Sequence, residues 1–127
     1  MALPEHTPLS DRLVFGGQLV DVSTASISYA PILIRGVIVN AGATISAAVT
    51  GSDSTVTVKK ISGGTSTTLG TITIAVSGSA AGSTFQWTPS GTEAERSVLV
   101  GDTLVFDSDG ASSTTSIANF SAVVRDT

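Results

Sequence analysis

The side chains able to do chemistry are few and far apart in this sequence. The only histidine, His6, lies between Pro4 and Pro8 near the start, and there is no cysteine. A serine nucleophile needs an imidazole held rigidly beside it, and a proline-flanked segment ahead of the first strand is a poor mount. Zinc would have to rest on carboxylates with one imidazole, a set it rarely accepts. Glu93 and Glu95 sit two apart on a polar stretch, and Asp107 and Asp109 flank a serine. A carboxyl pair works as acid and base only in a cleft that drives the two pKa values apart. Aspartates in turns commonly accept hydrogen bonds from their own backbone instead. Asp102, Asp107 and Asp109 invite a calcium reading, since Asp107-Ser108-Asp109-Gly110 matches the opening of a calcium loop. Ala111-Ser112-Ser113-Thr114 then follows where further oxygen ligands and a distal glutamate are needed. Ordinary turn chemistry is the expectation, so no metal, cofactor or catalytic residue is assigned and the chain is read as a non-enzyme.

The candidates for binding are equally sparse. Trp87, the only tryptophan, could stack on a sugar, but Phe85 shares its side of a short strand, which favours a core or interface pair. Asn119-Phe120-Ser121 fits the glycosylation sequon, yet it falls inside a predicted strand and is read as coincidence. Lys59-Lys60 is the only adjacent cationic pair, and on a strand the two point to opposite faces.

The elements that must position these groups are strands. From Ser54 to Val76 two runs alternate apolar with hydroxyl or lysine side chains around Gly63-Gly64, the pattern of a hairpin. Val56 and Val58 mark the apolar face of the first run, and Leu69, Ile72, Ile74 and Val76 that of the second. Before it, Arg12–Phe15 and Gln18–Val22 flank Gly16-Gly17 and read as a small hairpin. Ile32 to Val39 is dense in branched residues and reads as a strand buried on both faces or crossing an interface. Pro31 marks a strand start, a bulge or an edge. Arg35 is either an exit point at a bend before Gly36 or one half of an ion pair between subunits. Asn40-Ala41-Gly42 reads as a turn. Between Pro89 and Glu95 a helical turn is expected, because Thr92 can cap with Glu95 three residues on. The last strand runs from about Thr114 to Val124. The prediction is an all-β fold of about eight strands: an antiparallel two-sheet sandwich with jelly-roll-like or Greek-key connections and an extended N-terminal arm. Residues 1–22 form the arm and short hairpin, and residues 23–127 the sandwich domain. The arm is either a frayed terminus or a segment that orders against a neighbouring subunit.

Composition narrows the partners. The chain has 127 residues, enough for one modest core, and a net charge of −4 that argues against nucleic acid. Ser and Thr make up roughly three residues in ten, solvating the surface without charge. No apolar run reaches membrane-spanning length and the start lacks a signal peptide's basic and apolar regions, so a soluble chain made in the cytosol is expected.

With the elements in order, the segment from Ile32 to Val124 resembles small β-sandwich proteins of tailed bacteriophage particles, which occur as capsid decoration (cement) proteins and within head or tail fibres. The residues that carry the likeness are RGVIVNAGATI, TVTVKKISGG, ITIAVSGSAAGSTF, LVGDTLVFDSDGASST and IANFSAVVRD. The resemblance implies a virion structural protein on the capsid exterior, assembled in the host cytoplasm. It would bind the major capsid protein across neighbouring capsomers and reinforce the shell, commonly as a homotrimer. On that reading Leu3, Pro4, Pro8, Leu9, Leu13 and Phe15 are expected to touch the capsid. Ile32, Ile34, Arg35, Val37, Phe85 and Trp87 are expected at the subunit interface or in core packing. The alternative is a head-fibre, tail-fibre or baseplate module that binds a host glycan through Trp87 or Tyr29.

Overall fold

Alternation along the chain becomes nine antiparallel strands in the computed structural model, which describes residues 11–126. They are β1 (Asp11–Leu19), β2 (Ser26–Pro31), β3 (Gly36–Ile45), β4 (Ser54–Ser62), β5 (Thr65–Ile74), β6 (Thr84–Pro89), β7 (Ser97–Val98), β8 (Thr103–Ser108) and β9 (Ala118–Arg125). A single 3-10 turn, Ala94–Arg96, precedes β7. Hydrogen-bonded neighbours follow the order β1-β9-β3-β6-β5-β4-β8-β2, with β7 beside β3. β6 joins the halves of this path: Thr84–Gln86 pair with β3, and Trp87–Pro89 pair with β5. The path curls until its first and last strands, β1 and β2, lie side by side. The result is one nearly closed, barrel-like sheet.

The inward faces supply the core. Phe106 and Phe120 stack at its centre with ring centroids 4.5 Å apart and planes 14° from parallel. Ile32, Ile38, Ile45, Leu69, Ile72, Ile74 and Leu104 are fully buried around them. Each such side chain contributes about 1.5–3 kcal/mol by leaving water. Gly16 sits against the stack, where a Cβ would lie 2.3 Å from Phe106 Cε2 and 3.0 Å from Phe120 Cβ.

The central hairpin forms as its sequence demands. Ser62 pairs with Thr65 across Gly63-Gly64, whose φ values of 57° and 82° suit a primed two-residue turn. The three-residue step from Leu69 to Ile72, out of phase with strict alternation, has a structural cause. Val58 pairs with Gly70 and Lys59 with Thr68, so Leu69 is the extra residue of a bulge and both Leu69 and Gly70 face inward. The expected cap also forms: Glu95 Oε1 accepts from Thr92 N at 3.0 Å, and Thr92 Oγ1 accepts from Glu95 N at 3.3 Å.

Four local expectations are corrected. Arg12–Phe15 and Gln18–Leu19 do not fold on each other. They are one strand paired with β9, and Gly16-Gly17 is a bulge within it. Ile32–Val39 is not one doubly buried strand: residues 32–35 lie between β2 and β3, Ile32 is buried, and Leu33 and Val39 are exposed. Asn40-Ala41-Gly42 is strand interior. A bulge between Ile38 and Asn40 shifts the register there, and Asn40 Oδ1 accepts from Ala41 N at 2.9 Å. The last strand begins at Ala118, because residues 111–117 form a loop held by Thr50 and Ser113. Leu3, Pro4, His6, Pro8 and Leu9 lie outside the described residues.

Candidate interaction surface

Of the carboxylates that could have done chemistry, all but Glu93, which lines a depression with Arg96 and Arg125, hold a contact of their own. Asp102 Oδ2 accepts from Leu99 N at 2.9 Å, Asp107 Oδ2 pairs with Lys59 Nζ at 3.1 Å, and Asp109 Oδ1 accepts from the amides of Thr55 and Ala111. Among the described residues no three His, Cys, Asp or Glu side chains gather as a metal site would. Lys60 Nζ donates to Ser97 O, Glu95 serves the Thr92 cap, and Asn119 Oδ1 accepts from Gln18 Nε2 at 3.0 Å. Lys59 and Lys60 are therefore both tied down.

The notable surface is apolar, and sheet order creates it. β1 and β2 end the path, so each has one edge without a ladder partner among the described residues. Where they meet, Ser28 Oγ donates to Gly16 O at 3.1 Å. From that point toward Asp11 and Pro31 no backbone hydrogen bond joins the two strands. A groove of about 370 Å³ lies there, lined by Leu13, Val14, Phe15, Pro31, Leu33 and Ile34. Leu13, Phe15 and Leu33 are 75%, 66% and 71% exposed. The patch continues onto the loop before β8, because Gly101 N donates to Ile32 O and Ile32 N to Asp102 O, placing exposed Leu99 and Val100 nearby. Exposed apolar residues that adjoin mark binding surfaces more than scattered ones do.

The cations gather toward one end of the barrel. With every pairing antiparallel, β1, β3, β5 and β8 start, and β2, β4, β6 and β9 finish, at the groove end. All six Lys and Arg residues lie in the half of the barrel toward that end, together with Asp11, Glu93, Glu95, Asp102 and Asp126, whereas the opposite loops carry Asp21, Asp53 and Asp109 and no cation. Arg125 donates to Asp11 from Nε at 2.8 Å and from Nη2 at 3.1 Å. That bidentate contact holds the Asp11 carboxyl below its usual range and raises the guanidinium. Arg12 and Arg35 form no ion pair among the described residues. They flank a shallow depression next to the groove, with Ile34, Val124 and Asp126.

Sequence-level candidates divide on this map. Leu13 and Phe15 stand on the groove. Of the six residues considered for a subunit interface, Ile32, Val37 and Trp87 are buried within the chain, while Ile34 and Phe85 are half-buried and Arg35 is exposed. Phe85 and Trp87 do pack on the core together. Tyr29, on β2, is 62% exposed. Sequence reasoning missed Arg12, Leu33, Leu99 and Val100 as surface residues. The available signal was the arginine placed beside an apolar strand end at residues 12–13 and again at 34–35. No protein-family model, curated relative or solved structure matches this chain.

Proposed function

We propose that the protein is a structural binding module that docks on a larger assembly through the groove at the β1–β2 seam. In this reading the assembly is a phage capsid, which the protein decorates and reinforces by bridging capsomers. The observation that supports docking is the adjoining exposure of Leu13, Phe15 and Leu33 at the end of the barrel that holds all the Lys and Arg residues. The capsid itself comes from the resemblance of the strand and turn pattern between Ile32 and Val124. The two-sheet, jelly-roll-like description belongs to the same reading, with β6 as the strand counted in both sheets. A homotrimer would match the local threefold positions of an icosahedral shell, and several linked weak contacts would raise its avidity.

Quantifying this chain in purified particles tests the reading. Decoration predicts on the order of hundreds of copies per particle, as a shell of many equivalent positions requires. A handful would indicate a fibre or baseplate part, and none would remove the particle altogether. A second reading, a glycan-binding fibre module, is favoured by exposed Tyr29 alone, since Trp87 is covered. It predicts glycan-array binding that Tyr29→Ala abolishes.

A further inference from the structure

We infer that the seam groove takes an extended segment of a partner protein, apolar at alternate positions and carrying carboxylates at one end. The inference rests on reading this surface as the docking face, and it names what the face recognises.

Three observations point to that occupant. The walls of the groove are residues of β1 and of the stretch Pro31–Ile34, beside the edge of β1 that has no ladder partner among the described residues. A segment laid along such an edge can add its own amides to the sheet while every second side chain enters the groove. Pro31 has no amide hydrogen, so β1 is the edge suited to this pairing. Leu13 and Phe15, two apart on β1, present the same spacing that alternate side chains of an incoming strand would have. The third observation is charge. Arg12 and Arg35 line the depression that adjoins the groove at Ile34, they form no ion pair among the described residues, and Asp126 is the one acidic residue lining that depression. Nearby acids are engaged elsewhere: Asp11 with Arg125, and Asp102 with the Leu99 amide. A guanidinium binds a carboxylate with two parallel hydrogen bonds, so a partner bearing Asp, Glu or a terminal carboxylate is selected over a basic one.

The test titrates the isotope-labelled full chain with synthetic peptides of roughly nine residues, long enough to span the seam at strand rise. One alternates Leu and Ser and ends in Glu-Glu, a second ends in Lys-Lys, and a third replaces Leu by Ser. Amide shifts are expected at Leu13–Phe15 and Leu33–Arg35 with the Glu-Glu peptide, and a preference over Lys-Lys of roughly tenfold or more. Phe15→Ser with Leu33→Ser should abolish binding of the Glu-Glu peptide. Arg12→Glu with Arg35→Glu should reverse the preference, an outcome that a merely unfolded variant could not give. Equal binding of both charged peptides, shifts confined to another face, or no binding overturns the inference. So does self-association lost in Phe15→Ser, which would make a second copy the occupant. Adsorption to phosphatidylglycerol vesicles without peptide binding would likewise overturn it in favour of a lipid surface. Particle uptake is read separately. Uptake that depends on Leu13 and Phe15 without peptide binding removes this inference and leaves the docking function. Peptide binding with no uptake does the reverse.

Discussion

Gly16→Ala tests how the barrel closes. The added methyl would sit 2.3 Å from Phe106 Cε2 and 2.8 Å from Cζ, where carbon atoms settle at about 3.5–4.0 Å. The ring would have to retreat by about 1 Å, yet it is fully buried and stacked on Phe120. Gly16 does not have a positive φ, so alanine suffers no backbone strain and stiffens the unfolded chain, a stabilising effect of about 0.4–1 kcal/mol. Overpacking of a dense core costs about 1–3 kcal/mol or more and outweighs it. The expected net loss is about 1–2 kcal/mol, read as a lower urea midpoint and a melting temperature down by roughly 3–10 °C. A double-mutant cycle identifies the cause. Phe106→Leu alone should destabilise by losing the ring stack, but combined with Gly16→Ala it should recover about 1 kcal/mol relative to the sum. A Gly16→Ala protein within about 0.5 kcal/mol of the parent, or a strictly additive pair, would refute the argument that the glycine is there for the ring.

Other predictions follow from single contacts. Ser54→Ala removes the hydroxyl that accepts from Ser112 N and meets Ser112 Oγ at 2.6 Å, leaving buried groups unpartnered. Equilibrium denaturation should show a loss of about 1–3 kcal/mol. Gly64→Ala meets no atom within 4 Å but must hold φ near 82°, so its loss of about 1–2 kcal/mol is purely conformational, and Gly64→Asn should lose less. The Asp21 carboxyl is held below the usual aspartate range, first by the Ser23 hydroxyl and further by the amides of Ser23 and Ser116, against the opposing effect of burial. A depressed folded pKa gives stability that is present above the ordinary value of 3.8 and is lost as pH falls through the lower folded value. The melting temperature of Asp21→Asn should therefore lie below that of the parent at neutral pH, and the gap should close below pH 3.8.

How much of this was legible depended on how local its cause is. The Ser54–Val76 hairpin could be read because alternation and the Gly-Gly turn are adjacent in the chain. Thr92 and Glu95 were legible for the same reason, being three residues apart. Gly16-Gly17 was read as a turn because two glycines usually serve one. Instead Gly16 lies against Phe106 and Gly17, at φ 91°, against Ser28, contacts that depend on residues distant along the chain. Asn40-Ala41-Gly42 misled similarly, since pairing with β9 overrides three turn-forming residues. The candidate surface was half legible. Leu13 and Phe15 were expected to make contact, but Leu33 and Arg35 join them only because β1 and β2 fall at opposite ends of the strand order and then meet.

The pairing of Asp11 with Arg125 has a practical bearing on engineering. The described chain enters and leaves the barrel at neighbouring points, both at the groove end. A reporter inserted beside Asp11 or Arg125 would stand next to the groove and shield the surface it was meant to report on. The loop around Ser77–Gly82, at the far end and made of small residues, is the better attachment point. Cargo placed there would face away from whatever the groove holds.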